Sequence, residues 1–244
     1  MALYDRIGID YANLRRPDPR IAAAIDAALG DATTVLNVGA GTGSYEPAHR
    51  QVTALEPSAE MIRQRPPGAA PMVQGHAEAL PFADASFDAA MAVLTVHHWA
   101  DKAQGLRELR RVARGPVVIL TYDPAFRGFW LADYIPELVA LDEAQMPPLA
   151  DYAATLGAVT ITPVPIPHDC IDGFLAAYWR RPTAYLDLRV RAAMSSFHAL
   201  GGVSEPLARL ERDLASGVWM ERYGGVMELD ALDCGYRLVV AETQ

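Results

Sequence analysis

Three glycines at alternate positions, Gly39, Gly41 and Gly43, follow the apolar run Val35-Leu36-Asn37-Val38, and Glu56 ends the next apolar run, Val52-Thr53-Ala54-Leu55. A buried strand, a glycine turn and an acid ending the neighbouring strand are the parts of a nucleoside site. The glycines let the backbone turn sharply and approach a ligand where a Cβ would clash, and a carboxylate at Glu56 can accept both ribose hydroxyls. A second group, Thr95-Val96-His97-His98-Trp99, follows the apolar run at 88–94, at the strand end where open α/β sheets hold their chemistry. Adjacent histidines on an extended chain point to opposite sides, so one of the two faces the site and the pair makes no two-ligand metal clamp. An imidazole there, titrating near neutrality, can take a proton from a hydroxyl or amine as a catalytic base; lining the pocket or bonding the backbone is the alternative. His168-Asp169-Cys170 holds metal-ligand residue types without a partner set at ligand spacing, and it reads as a turn.

The spacing of the glycines bears on the ligand. A dinucleotide fingerprint starting at Gly39 needs its third glycine at position 44, which is Ser44. A loop that cradles no pyrophosphate can fold around a zwitterionic amino-acid tail, which suits S-adenosylmethionine better than a nicotinamide cofactor. Residues 35–43, Glu56-Pro57-Ser58-Ala59-Glu60-Met61 and the stretch from Ala77-Glu78-Ala79-Leu80 to Ser86-Phe87-Asp88 together resemble the class I S-adenosylmethionine-dependent methyltransferases. Within that class they are similar to the small-molecule group known as methyltransferase type 11. The resemblance covers roughly positions 1–122 with its motifs in order, which makes it far more specific than a lone glycine motif.

That resemblance implies S-adenosyl-L-methionine as cofactor and in-line transfer of its methyl group to a small, partly apolar acceptor, with oxygen preferred over nitrogen or carbon. It implies that Gly39, Ala40, Gly41 and Gly43 form the cofactor loop, that Glu56 with Pro57 and Met61 holds the ribose side, and that Leu94 lines the methyl donor with His97 and His98. His76 stands where members often carry an aspartate for the adenine amino group, leaving the backbone of Ala77, beside Glu78, as the firmer contact. Asn37 stands where many members have an acid, so it supports the loop by an amide. Tyr11 and Arg15 fold across the cofactor in one reading and pack as a surface helix in the other. Glu46, just after the glycines, can meet an amine or the acceptor. Methyl transfer needs positioning more than covalent help from the protein, so no universal catalytic residue follows from the motifs.

The elements that must position these residues follow from pattern. Ile21, Ile25 and Leu29 share one face of a helix, and Pro17-Asp18-Pro19 turns the chain into it. Strands are expected at 35–38, 52–56, 72–74, 88–94 and 117–122. Helices are expected after the glycine turn, shortened or delayed by Pro47, at 58–65, and at 103–113. Alternation of this kind implies right-handed crossovers and a parallel sheet. Beyond Asp123 the rhythm breaks: 124–157 is largely helical and 159–162 alternates as a strand. The family's last two strands are an antiparallel pair, which implies a doubly wound, seven-stranded, mostly parallel sheet whose final strand, 236–240, is delayed by a helical lid insertion at 168–232. The chain thus reads as one domain, with a cap segment at 1–30 and the insertion as substrate wall. The insertion's Phe174, Tyr178, Trp179, Tyr185, Phe197 and Trp219 either line a pocket or form their own core.

The 244 residues are 51% hydrophobic and 21% charged, as in an ordinary globular enzyme. A net charge of -9 argues against nucleic acid as a partner, which wants a basic surface. The basic stripe at Arg107, Arg110, Arg111 and Arg114 interleaves with Leu106, Leu109 and Val112 and reads as a solvated helix face. Two cysteines, Cys170 and Cys234, make neither a disulfide framework nor a metal site. Charges at Met1–Arg6 and the lack of a run of about 18 apolar residues argue against a signal peptide or membrane span and for a cytoplasmic protein, monomeric or homodimeric. Two rivals remain at this point: a binding module for the same cofactor without methyltransferase activity, and a nicotinamide-dependent oxidoreductase, which Ser44 disfavours.

Overall fold

The computed structural model describes residues 15–242; the expectations placed on Tyr4, Tyr11 and Met1–Arg6 lie outside them. Helix α1, Pro19–Ala28, starts where the Asp18 carboxylate accepts from Arg20 N at 3.0 Å, with Pro19 in the first turn, where its missing N–H costs nothing. Strands β1 (Thr34–Val38), β2 (Gln51–Glu56) and β3 (Met72–Gln74) follow, with the five-residue helix α2 (Ala59–Arg63) between the last two. Next come β4 (Ala89–Val93), α3 (Lys102–Val112) and β5 (Val117–Tyr122). The sheet runs β3-β2-β1-β4-β5, all parallel, and two further strands complete it: β6 (Val159–Pro163) at the edge and β9 (Tyr236–Ala241) between β5 and β6, antiparallel to both. The seven-stranded, mostly parallel sheet expected from the sequence is therefore the one observed.

Both faces of the sheet are covered, so its strands alternate between two cores rather than between core and solvent. Val35, Met91, Val118 and Leu120 point to α1 and to the chain beyond residue 128. Leu36, Ala90, Ala92 and Ile119 point to α3, whose Leu106, Leu109 and Val112 are buried against them. The arginines of α3, and Arg114 just after it, are engaged locally: Arg111 with Glu108 and Asp84, Arg114 with Asp88, and Arg110 with the carbonyls of Ala113 and Gly115.

One expected helix does not form. Residues 39–50, after the glycine turn, are turns throughout. Gly39, Gly41 and Gly43 all have positive φ, and so does Tyr45, at 64°, so the chain cannot start a right-handed helix before Pro47. Helix α2 is also shorter than the span 58–65. Ser58 caps it through Met61 N, and it ends at Arg63, ahead of the prolines at 66 and 67.

After β5 the chain builds the two helices α4 (Glu137–Gln145) and α5 (Leu149–Leu156), then β6, and leaves the sheet. A two-residue ladder of β7 (Ile166–Pro167) with β8 (Ala231–Leu232) closes the neck of the segment between them. That segment holds four short helices, α6 (Leu188–Ala192), α7 (Ser195–Ala199), α8 (Ser204–Ser216) and α9 (Val218–Tyr223), with 3-10 turns at 175–178 and 182–186. Of its aromatic rings, Trp179, Tyr185 and Trp219 are buried and pack with Trp130, whose centroid lies 5.6 Å from Tyr185 and 5.2 Å from Trp219. Two of the three indoles are also bonded: Trp130 Nε1 donates to Trp179 O at 2.9 Å and Trp179 Nε1 to Ile166 O at 2.8 Å, whereas Trp219 Nε1 is buried with no partner among the described residues. For these rings the core role holds. Among the described residues no helix is long and apolar enough to cross a membrane, and no cluster of three metal-ligating residues occurs.

Candidate active site

A cleft of about 500 Å³ opens at the carboxyl ends of β1, β2 and β4. Its floor is the glycine turn. Gly39 and Ala40 donate their N–H groups to Leu55 O at 2.8 and 3.0 Å, which folds the turn back onto β2. A Cβ on Gly39 would lie 2.0 Å from Thr95 Oγ1, so glycine is required there by the packing of β1 against the β4 turn as well as by its φ of 71°. The contact with Thr95 is a second cause for glycine there, one that residue type and spacing do not disclose. Gly43 borders a separate groove behind the turn, not the cleft.

Glu56 is buried at the end of β2, and its two oxygens accept from Gly41 N and Ser58 N, both at 2.9 Å. One carboxylate thus fixes both the glycine turn and the start of α2, and a carboxylate has further lone pairs to offer a ligand. Asn37, 1% exposed, donates from Nδ2 to Glu46 Oε1 at 3.1 Å, while its Oδ1 is buried with no partner among the described residues. Glu46 is held in turn by Arg65 at 2.7 Å and borders the groove behind the turn, so it does not meet the cleft as expected. Pro57, Met61, His76 and Ala77 line the cleft beside Glu56, and Glu78 joins them while its Oε1 accepts from Ala100 N at 2.7 Å.

The histidines depart from their expected geometry. Leu94, with φ 51°, bends the chain out of β4, and Val96–His98 winds as a 3-10 turn rather than running extended. Both rings therefore line the cleft, tilted 50° to each other with centroids 3.8 Å apart. Burial, followed by the charges of Lys102 and Arg15, pulls His98 down to about 4; burial and His98 itself pull His97 well below the ordinary range. Both are neutral at physiological pH.

Arg15 borders the cleft, but its guanidinium is engaged by a residue that the sequence did not single out. Asp172, 1% exposed, receives Arg15 Nε at 2.5 Å and Tyr45 Oη at 2.7 Å, tying the start of the 168–230 segment to the glycine turn. His168, Asp169 and Cys170 gather nothing: His168 bonds Asp230 O, Asp169 pairs with Arg20, and Cys170 is a buried free thiol.

A smaller chamber adjoins the cleft and shares Arg15, Leu94 and His97 with it. Its far wall is Tyr122, Phe174, Tyr236 and Met194, with Asp142 of α4 among them. Tyr122, Asp142 and Tyr236 were missed because they lie on three elements far apart in sequence, with no local motif to join them.

A doubly wound sheet with a nucleoside cleft at its β1–β2 end and a second chamber beside it defines the methyltransferase class. Residues 36–119 match the family model described as a methyltransferase domain. A protein of Anabaena variabilis ATCC 29413, described as a methyltransferase from an antibiotic biosynthesis pathway, is 35% identical, covers 93% of this chain and 98% of its own, and superposes with a TM-score of 0.85. Malonyl-[acyl-carrier protein] O-methyltransferases are similar over shorter spans. That of Erwinia pyrifoliae is 41% identical over 91 residues, 35% of each chain; that of Pseudescherichia vulneris is 36% identical over 121 residues, 46% of this chain and 48% of its own. The match thus spans less than half the length of these curated relatives. The chain belongs to the class I S-adenosylmethionine-dependent methyltransferases, in the type 11 group, and its cofactor is S-adenosylmethionine. The cleft fits that cofactor: a buried acid waits at the strand end, and the orphaned Asn37 Oδ1 offers an acceptor to an ammonium group.

Proposed function

We propose that this chain moves the methyl group of S-adenosylmethionine onto a small, partly apolar acceptor, with oxygen as the acceptor atom ahead of nitrogen or carbon. The observation that carries this reading is the wall shared by the cleft and the apolar chamber, Arg15, Leu94 and His97, because donor and acceptor must meet across one short partition. The cofactor supplies an already activated sulfonium methyl. Glu56 then holds the ribose and the glycine turn follows the methionyl part. Asn37 takes up the ammonium group, with Arg15 beside the carboxylate. His76 and Ala77 receive the adenine, and Leu94 presses the donor toward the chamber. The partial similarity to O-methyltransferases supports oxygen. The 168–230 segment, anchored by Asp172, serves as the lid and substrate wall.

His97 or His98 as proton acceptor is the second reading, favoured by the place of His97 in the shared wall and of His98 beside it in the cleft. Loss of turnover and of its pH dependence in His97→Ala or His98→Ala would support it; unchanged profiles in both would sink it. The main reading is tested by incubating the protein with methyl-labelled S-adenosylmethionine and a panel of hydroxyl, amine and carbanion acceptors, beside calorimetric titration with S-adenosylmethionine and NAD. Label transferred to oxygen is expected. Binding of S-adenosylmethionine with no transfer to any acceptor would instead mark a binding module.

A further inference from the structure

The chamber beside the cofactor cleft is apolar on most sides. Tyr122 and Tyr236 meet edge to face at 5.5 Å, Phe174 lies 4.8 Å from Tyr236, and Met194 closes another side. A flat apolar body suits such walls. Against them stands one carboxylate. Asp142 of α4 lines this chamber, and also a small pocket beside Phe126 and Arg127, and its side chain has no hydrogen-bond partner among the described residues. The cation nearest to it electrically, Arg127, is itself paired with Glu143. A half-buried carboxylate without a donor is costly unless something that enters the chamber supplies one.

The charges around Asp142 narrow what that visitor is. Arg15 is paired with Asp172, and His97 is held neutral, so among the described residues no uncompensated cation lines the chamber to answer an anion. A carboxylate acceptor would face Asp142 as a like charge. We propose that Asp142 receives the hydroxyl hydrogen of the acceptor, which makes the acceptor a neutral hydroxylated molecule of phenol type and not a carboxylic acid. This rests on the O-methylation reading and deepens it.

In the transfer, the acceptor oxygen forms its bond to the methyl carbon as the carbon–sulfur bond breaks. The electron pair of that bond stays on sulfur and cancels the sulfonium charge, and the hydroxyl proton passes to Asp142 and then to solvent. Burial raises the Asp142 carboxyl to about 7, with Arg127 opposing, while Tyr122, Tyr236, His97 and Arg15 share its chamber. A proton acceptor poised there is better matched to neutral pH than His98 at about 4.

The test titrates phenol, and toluene as its hydroxyl-free counterpart, into the protein saturated with S-adenosylhomocysteine. At pH 8 the wild type is expected to prefer phenol by at least roughly tenfold, a preference that shrinks to about threefold or less in Asp142→Leu. Lowering the pH to 5.5 should erode the preference in the wild type but leave Asp142→Asn unaffected. Affinity for S-adenosylhomocysteine reports whether each variant is folded. Equal affinity for the two probes, no saturable phenol binding, or a preference that survives in Asp142→Leu would overturn the proposal. Phenol binding that depends on Asp142, with label found only on nitrogen or carbon acceptors, would overturn the O-methylation reading and leave the hydroxyl subsite standing.

Discussion

The two walls of the site are built in different ways. On the donor side, polar groups are satisfied by nearby backbone: Glu56 bonds Gly41 and Ser58, and the glycine turn bonds Leu55, all within one βαβ unit. On the acceptor side, packing is long-range. Trp130 bonds Trp179 and Tyr134 bonds Asp213, 49 and 79 residues away, and the chamber's groups come from α4, β5, β9 and the 168–230 segment. A wall made of backbone bonds admits few substitutions, whereas a wall of packed rings can be recut while the sheet stays intact. In keeping with that difference, the methyltransferase family model matches residues 36–119, which include the donor wall and not the 168–230 segment.

Asp172 joins the two walls, and its removal should break the comparison most. Asp172→Ala leaves Arg15 and Tyr45 without their buried partner and should cost about 4 kcal/mol, read as a fall in Tm of roughly 10 °C. A loss below about 1 kcal/mol would mean that the walls are independent. Next, Glu56→Ala should weaken S-adenosylmethionine about 100-fold by calorimetry, since it frees two backbone donors as well as the ribose contact. Phenol binding in the chamber should change far less.

Asp142 gives a third, with opposite sign. Its folded carboxyl is raised to about 7, above the unfolded value near 3.8, so the native state holds the proton longer and stability falls as pH rises from about 4 through 7. Asp142→Asn should therefore be more stable than wild type by about 2 kcal/mol at pH 8, with no gain at pH 4, in urea titrations at the two values. The acceptor wall would then hold its function at the expense of stability. The smallest effect is expected on the exposed face of α3: Arg107→Ala should change stability by less than about 0.5 kcal/mol and leave cofactor binding as it was.

Most of the donor wall was legible in the sequence because its parts are contiguous. Gly39, Gly41 and Glu56 fall within one short window, and the strands around them alternate with helices at the expected rhythm. The misplacements were local and conformational. Left-handed Tyr45 and Leu94 are not announced by residue type, and they removed a helix in one place and turned two histidines into one cleft in the other. Glu46 was drawn away by Arg65, a partner 19 residues on. Asp142, Asp172 and Tyr236 carried no signal, because a buried acid and a solvent acid look alike until distant segments close over one of them.

The antiparallel placement of β9 also bears on how the chain is made. Residues 236–241 lie between β5 and β6, so both of those strands wait with an open edge until the chain has been synthesised as far as Ala241. Val117–Leu120 is buried and fully apolar, and its partner edge is exposed for as long as the intervening 113 residues, 123–235, take to be synthesised. Such an edge invites pairing with another chain. Yield in the cell should thus depend on how quickly the final strand arrives and on chaperone cover for β5, more than on the equilibrium strength of the finished fold.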